Sequence, residues 1–512
     1  MNGGDLSSQS TGADSNAAQS RVDTAILFGI AAAIAILHLV TNNRYGFHRD
    51  ELQVLSDAQH LGWGFVAVPP VTPFLERIGM ALFGLSLTGL RLFSVIAQGA
   101  AIVVSGFMAR DLGGRRLAQF TAALAVALSP LPLFEGTEFQ YTTFDFLWWV
   151  LIAYFTIRLL KSDNPRWWLA IGAVTGVGLL TKYSILFFIA GLLGGLVLSR
   201  ARRSFMSGWF WAGIALAFVI FLPNLLWQAR HGFISYHFLQ YIHKRDVGEG
   251  RAAGFVSGQF LSCVNLFAAP LWLAGLFCFL RSSRYRMLAW MYLISFALFW
   301  AGKGRFYYEA AAYPMLLAMG AVAAERWLAR LPRWGRIAIE SVFFAGLAAY
   351  GAYVCAVLIP LASSGPLRQF ALRQNGDLRE EIGWNELVRT VAQIRDSLPS
   401  EQQQSAGVLV GNYGEAGAIE ILGPAYKLPA PISMTNTAWL WSYPAAPPST
   451  LIVVGFSPKA ADRAFTGCRL AGHNGNPEGV KNEESQDHHD IFICGAPRKP
   501  WPVFWKDYQS FG

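Results

Sequence analysis

The chain has 512 residues, 54% hydrophobic and only 14% charged, with 18 Trp and 37 Phe, and its mean hydropathy is +0.35. A soluble domain carries about a quarter charged residues, so a water-soluble protein with one core is excluded and the chain needs lipid as solvent. The net charge of +9 does not point to nucleic acid, because the basic residues fall in short clusters between apolar runs, the pattern of a membrane topology signal.

Residues 1–22 are polar and small and are expected to form a disordered cytoplasmic N-terminus. They lack the basic start and small-residue cleavage site of a signal peptide, so the first apolar run is read as a retained anchor. Runs long enough to cross a hydrocarbon core of about 30 Å lie at 24–41, 89–108, 117–134, 143–160, 166–181, 183–199, 209–228, 260–280, 286–301, 306–325 and 337–361. The expected architecture is thus a polytopic α-helical membrane domain, 23–362, with about eleven transmembrane helices.

With the N-terminus inside, every inside loop is basic, from Arg110, Arg115 and Arg116 to Arg326, Arg330, Arg333 and Arg336, whereas the outside turn at 135–142 carries Glu135 and Glu138. Arginine bias in short loops sets orientation. The expected location is therefore the plasma (inner) membrane, with the C-terminus extracytoplasmic.

Three outside segments are large: 42–88, 229–259 and 363–512. In the first, Leu52–Phe65 and Phe74–Phe83 suit short interfacial helices, separated by Pro69, Pro70 and Pro73, which impose an extended path. The last changes composition and reads as a small α/β domain. It has a helix at Trp384–Leu398 starting after Gly383, and short strands at Gly407–Val410, Leu451–Phe456 and Ile491–Cys494. Cys468 and Cys494 lie in this domain, the compartment where a disulfide persists, and are expected to pair; Cys263, Cys278 and Cys355 lie in spans as small apolar residues.

The first outer loop opens with Phe47-His48-Arg49-Asp50-Glu51-Leu52. Two adjacent carboxylates beside a bilayer are costly without a use for the charge; the bland alternative is an acidic helix N-terminus. Asp145, at the outer end of the fourth span, is either functional or a helix cap. Lys182 sits between two apolar runs and either meets a lipid phosphate or snorkels. Gly302-Lys303-Gly304-Arg305-Phe306-Tyr307-Tyr308 places two cations and three aromatics outside, against the inside-positive trend, and such cations suit a phosphate. No nucleotide-binding loop and no metal-ligand cluster stands out, and His488 and His489, beside Asp487 and Asp490, read as a solvated turn.

These residues resemble the family-39-like, GT-C fold glycosyltransferases, the group of protein O-mannosyltransferases, aminoarabinose transferases to lipid A and rhizobial galacturonosyltransferases. The resemblance is carried by Asp50-Glu51, Pro69-Pro70, Asp145, Thr181-Lys182 and the segment Lys303–Pro314, and extends through Gly411-Asn412-Tyr413-Gly414-Glu415-Ala416 and Trp439-Leu440-Trp441. It implies a polyprenyl-phosphate sugar donor and an envelope acceptor, lipid or glycan. One carboxylate of Asp50-Glu51 would be the base of an inverting displacement, with Asp145 as second candidate. Arg49, Lys182, Lys303, Arg305 and Tyr308 would bind the donor phosphate. No cofactor is implied with certainty, and a divalent metal stays open. Two other classes remain: a transporter or lipid flippase, and a non-catalytic envelope scaffold.

Overall fold

The protein is described from a computed structural model covering residues 6–512. Helix α1 spans Leu6–Thr41, so the chain expected to be disordered through residue 22 is helical from Leu6; residues 1–5 of that expectation lie outside the described residues. The first outer segment then supplies α2, Arg49–Gln59, and α3, Val71–Phe83. The extended path expected across the prolines stops at Pro70, and Pro73 sits in the first turn of α3, where no intrahelical N–H is needed.

The apolar runs that follow fold as α4 (Leu87–Asp111), α5 (Arg116–Ala127), α6 (Pro130–Glu135), α7 (Tyr141–Ser162), α8 (Trp167–Leu179), α9 (Ile185–Val197) and α10 (Gly208–Arg230). After α11 (Ile234–Gly248) and α12 (Phe255–Gly258) come α13 (Ala269–Arg281), α14 (Arg286–Ala301), α15 (Tyr313–Leu328) and α16 (Arg333–Leu358).

All eleven apolar runs therefore fall on helices. Among the described residues, five are long and apolar enough to cross a membrane, or seven if each sharply bent pair counts as one span. The others are shorter, because breaks interrupt them. The bend of 105° before α13 is held by Asn265, whose Nδ2 donates to the carbonyls of Leu128 and Leu347, both at 3.0 Å. Irregular backbone at this depth survives only where protein satisfies its polar groups. The short helices pack backbone to backbone: a Cβ at Gly275 would stand 2.0 Å from the Leu316 carbonyl oxygen, and one at Gly320 1.9 Å from that of Leu271. Small residues at such crossings are how helices associate in lipid.

The C-terminal segment begins with α17 (Gly365–Gln374), α18 (Asp377–Glu380), α19 (Trp384–Asp396) and α20 (Ser400–Ser405). Gly383, at φ 106°, turns the chain into α19 in a backbone conformation that suits glycine. Strand β1 (Gly407–Val410) leads into α21 (Tyr413–Leu422), followed by β2 (Pro431–Ser433), β3 (Leu451–Val454), β4 (Arg469–His473) and β5 (Asp490–Cys494). The sheet order is β2-β1-β3-β5-β4, parallel across β2, β1 and β3 and antiparallel across β3, β5 and β4. The alternation on β2 and β4 was too short or too exposed to be read from sequence; their pairing comes from the neighbouring buried strands. Cys468 and Cys494 are joined at 2.14 Å.

Helix α2 belongs to this segment as much as to the membrane part. Leu52 and Leu55 share one core with Leu387, Val388, Val408 and Ile419. Gly417 on α21 lies against α2 so closely that a Cβ there would stand 2.4 Å from the Leu52 carbonyl oxygen.

Candidate active site

Helix α2 starts where it does because His48 and Glu51 form a capping box: His48 Nδ1 accepts from the Asp50 N–H at 3.2 Å and the Glu51 carboxylate accepts from the His48 N–H at 2.8 Å. Glu51 is only 2% exposed, and a buried carboxylate needs a cation and donors. Arg91 on α4, itself fully buried, supplies them through Nε to Oε1 at 2.8 Å and one terminal nitrogen to Oε2 at 2.7 Å. The Phe139 N–H adds a third bond to Oε1 at 2.7 Å. Both Glu51 oxygens are thereby engaged.

Arg91 also donates to the carbonyls of Asn42 at 2.7 Å and Gly46 at 3.1 Å, and reaches Glu381 at 3.4 Å. Burial pushes the Glu381 carboxyl up to about 8, against the pull of Arg91. Burial likewise holds Glu138 well above the usual carboxylate range. One guanidinium thus makes its two short side-chain bonds to one carboxylate, Glu51, and only a longer contact to Glu381.

Asp50 differs. It is half-buried and accepts a hydrogen bond from the Tyr413 hydroxyl at 2.8 Å on Oδ1; its second oxygen has no partner among the described residues. Burial holds the Tyr413 phenol well above its ordinary value, so it stays neutral and donates. Arg49 stacks over the Tyr413 ring at 4.7 Å and pairs with Glu483. Glu483 is held down to about 2 by His488 and Arg49, and His488 is raised to about 9 by Glu483.

A second group gathers around Lys182. Its ammonium lies over three phenol rings, Tyr308 at 4.4 Å, Tyr141 at 5.0 Å and Tyr307 at 5.9 Å, and it acts electrostatically on Asp145 and Glu135. Asp145 is not a helix cap, because α7 begins four residues earlier. It accepts instead from Trp149 Nε1 at 3.1 Å and Ser184 Oγ at 3.3 Å. Asp50, Arg305 and Tyr308 also act on Tyr141 electrostatically. Arg305 makes a bidentate pair with Asp246 of α11, at 2.6 and 2.7 Å. Lys303 is exposed and lines a cavity of about 650 Å³ walled also by Trp300, Val247, Gly254 and α12.

Comparison with known proteins adds the context. Residues 67–227 match the family described as dolichyl-phosphate-mannose-protein mannosyltransferase. The lipid A galacturonosyltransferase RgtD of Rhizobium johnstonii is 29% identical over 254 residues, 48% of this chain and 53% of that relative. The lipopolysaccharide core galacturonosyltransferase RgtA of the same organism is 27% identical over 253 residues, 47% of this chain and 49% of the relative. The chain spans about half the length of the curated relatives it matches. The crystal structure of ArnT from Cupriavidus metallidurans bound to undecaprenyl phosphate superposes with a TM-score of 0.55 over 91% of this chain and 97% of that one, at 16% identity. The chain has the GT-C glycosyltransferase fold. An Archaeoglobus fulgidus oligosaccharyltransferase shares the fold too, with a TM-score of 0.52 over 80% of this chain and 64% of that chain at 12% identity.

On this GT-C frame the structure separates the residues singled out from sequence. Glu51 and Arg49 are tied into protein, Arg305 is paired with Asp246, Lys182 lies over the rings of Tyr141 and Tyr308, and Asp50 is bonded to Tyr413. Sequence reasoning gave no role to Arg91, Tyr413, Tyr141 or Asp246. Arg91 did carry a signal, a lone cation inside an apolar run, which in a membrane marks a partner or a site. The reading of His488 as part of a solvated turn is corrected, since His488 is half-buried and pairs with Glu483 at 3.6 Å.

Proposed function

We propose that this protein is a glycosyltransferase of the inner membrane that moves a sugar from a polyprenyl-phosphate donor to an envelope acceptor on the extracytoplasmic face, by an inverting displacement. The acceptor class is lipid A, another glycolipid, a polysaccharide or a protein. The observation that carries the reading is the division between two neighbouring carboxylates: Glu51 is locked by Arg91, while Asp50 keeps an unengaged oxygen and acts electrostatically on Tyr141, whose ring lies under the Lys182 ammonium. The neighbour bound to undecaprenyl phosphate agrees with a lipid-borne donor, and the lipid A and lipopolysaccharide core galacturonosyltransferases it resembles agree with an envelope acceptor.

In this reading Asp50 takes the proton of the acceptor hydroxyl as its oxygen attacks the anomeric carbon on the face opposite the phosphate. The carbon–oxygen bond to phosphate breaks, and the leaving phosphate gains charge close to Lys182 and the Tyr141 and Tyr308 hydroxyls. Lys182 and Lys303 have no carboxylate within ion-pair distance among the described residues, unlike Arg49 and Arg305, so they are free to meet an anion. The inside-basic loops support an orientation with this face outside. Mass spectrometry of envelope glycolipids and glycoproteins from a deletion strain tests the function. One sugar modification should be missing and return with the wild-type gene; an unchanged profile contradicts the proposal.

A further inference from the structure

Away from this site, β4 and β5 bring three potential metal ligands together. His473, the last residue of β4, pairs in register with Asp490, the first of β5, and His489 directly precedes it. His473 Nδ1 and His489 Nε2 approach the same carboxylate oxygen, Asp490 Oδ1, at 2.9 and 3.2 Å. The two rings are stacked with centroids 5.7 Å apart, and the three ligand atoms lie within 4.8 Å of one another. The Asn474 N–H donates to the His489 carbonyl at 2.6 Å, fixing the backbone between them.

The hydrogen bonding of His489 points to a cation. Its Nδ1 lies 3.2 Å from the Gln486 carbonyl oxygen. A carbonyl oxygen only accepts, so Nδ1 carries the hydrogen, and in the neutral ring Nε2 presents a lone pair. That lone pair then faces a carboxylate oxygen, two acceptors in contact, and a positive charge must join them. A proton on Nε2 is one solution and a metal ion the other. Donation from the distal ring nitrogen to a backbone carbonyl is the support that metal-bound histidines use.

We propose that His473, His489 and Asp490 bind a divalent transition metal of the zinc type, with water completing the coordination. Two imidazoles and one carboxylate suit zinc, and Asp490 alone would not select it. The exposed position of both rings gives the ion an entry path. The ion closes the base of the loop 474–489, while the Cys468–Cys494 disulfide ties the opposite end of the same strand pair. The loop carries Glu483, which holds Arg49 next to Asp50. Metal occupancy therefore steadies the grip of the outer segment on α2.

The test uses untagged full-length protein in detergent, stripped of metal, incubated with zinc chloride and passed through a desalting column. Bound zinc is then measured by inductively coupled plasma mass spectrometry. The wild type should retain about one equivalent at pH 7.5 and lose it at pH 5.5, where imidazoles protonate. The His473→Ala/His489→Ala variant should lose that equivalent while eluting as the wild type does in gel filtration. Asp490→Asn, which keeps the shape of the side chain, should bind more weakly. A wild type that retains no zinc at pH 7.5 favours the proton and overturns the proposal. Equal zinc in wild type and the double-histidine variant overturns it as well. Neither readout depends on sugar transfer.

Discussion

Arg91 grips Glu51 by two hydrogen bonds, at 2.8 and 2.7 Å, with both side chains buried. Helix α4 is thereby bonded to the first turn of α2, the turn that also carries Asp50. Removing one partner of a buried pair leaves the other charge uncompensated, at a cost of about 3–5 kcal/mol. Glu51→Gln should accordingly lower the melting temperature and the yield of folded protein, whereas Asp50→Asn should melt as the wild type does. Equal melting of Glu51→Gln and wild type would show that the pair does not hold α2.

Tyr413 is a positioning residue in this account, donating to Asp50 at 2.8 Å from α21. A hydrogen bond to a charged group contributes about 1.5–3 kcal/mol, and if it orients the base, the loss appears in turnover. Tyr413→Phe should reduce kcat by roughly 10- to 100-fold with little change in the KM for the lipid donor. A change in KM alone would place Tyr413 in donor binding instead.

The Glu483–His488 pair gives the loop 474–489 a pH window. Glu483 falls from an ordinary 4.5 to about 2, so its contribution is full above 4.5 and lost as pH drops towards 2. His488 rises from an ordinary 6.5 to about 9, so its contribution is full below 6.5 and lost as pH climbs through 9. Both are met between pH 4.5 and 6.5. Hydrogen exchange of this loop in metal-stripped protein, corrected for intrinsic rates, should be slowest near pH 6 and faster at pH 9. Glu483→Gln should flatten the dependence. A wild-type loop with the same protection at both values contradicts the pairing.

The Cys468–Cys494 bridge closes a separation of 26 residues. In the chain-entropy model a loop of that size is stabilised by about 3 kcal/mol. Thiol labelling of unfolded, unreduced protein should reach Cys263, Cys278 and Cys355 alone, and reduction should destabilise the outer segment. Labelling of Cys468 and Cys494 before reduction contradicts the bridge.

The helices of the membrane part were legible because lipid demands long apolar runs, and each run found in the sequence lies on a helix. Where Asn265 interrupts one, the polar bonds that tolerate the break come from Leu128 and Leu347, far away in sequence and invisible to a local pattern. The acidic pair at 50–51 was visible too, but not its division of roles. That depends on Arg91, 40 residues on, and on Tyr413, 363 residues on. Asp145 was open between a functional group and a cap because it stands near a helix start, and its bonds to Trp149 and Ser184, four and 39 residues on, decide against the cap. Strand β4 escaped notice because its residues are mostly exposed and carry no alternation.

The central claim is that Asp50 is the base, and sugar transfer by Asp50→Asn tests it most directly. Membranes containing wild type or variant are supplied with polyprenyl-phosphate-linked donor and envelope acceptor, and product is followed by mass spectrometry at matched protein levels. General-base catalysis contributes roughly 10²- to 10⁴-fold, so Asp50→Asn should lose turnover by about that factor while donor binding stays close to wild type. Lys182→Ala, by contrast, should weaken donor binding. Transfer by Asp50→Asn at the wild-type rate would contradict the account and pass the role to Asp145.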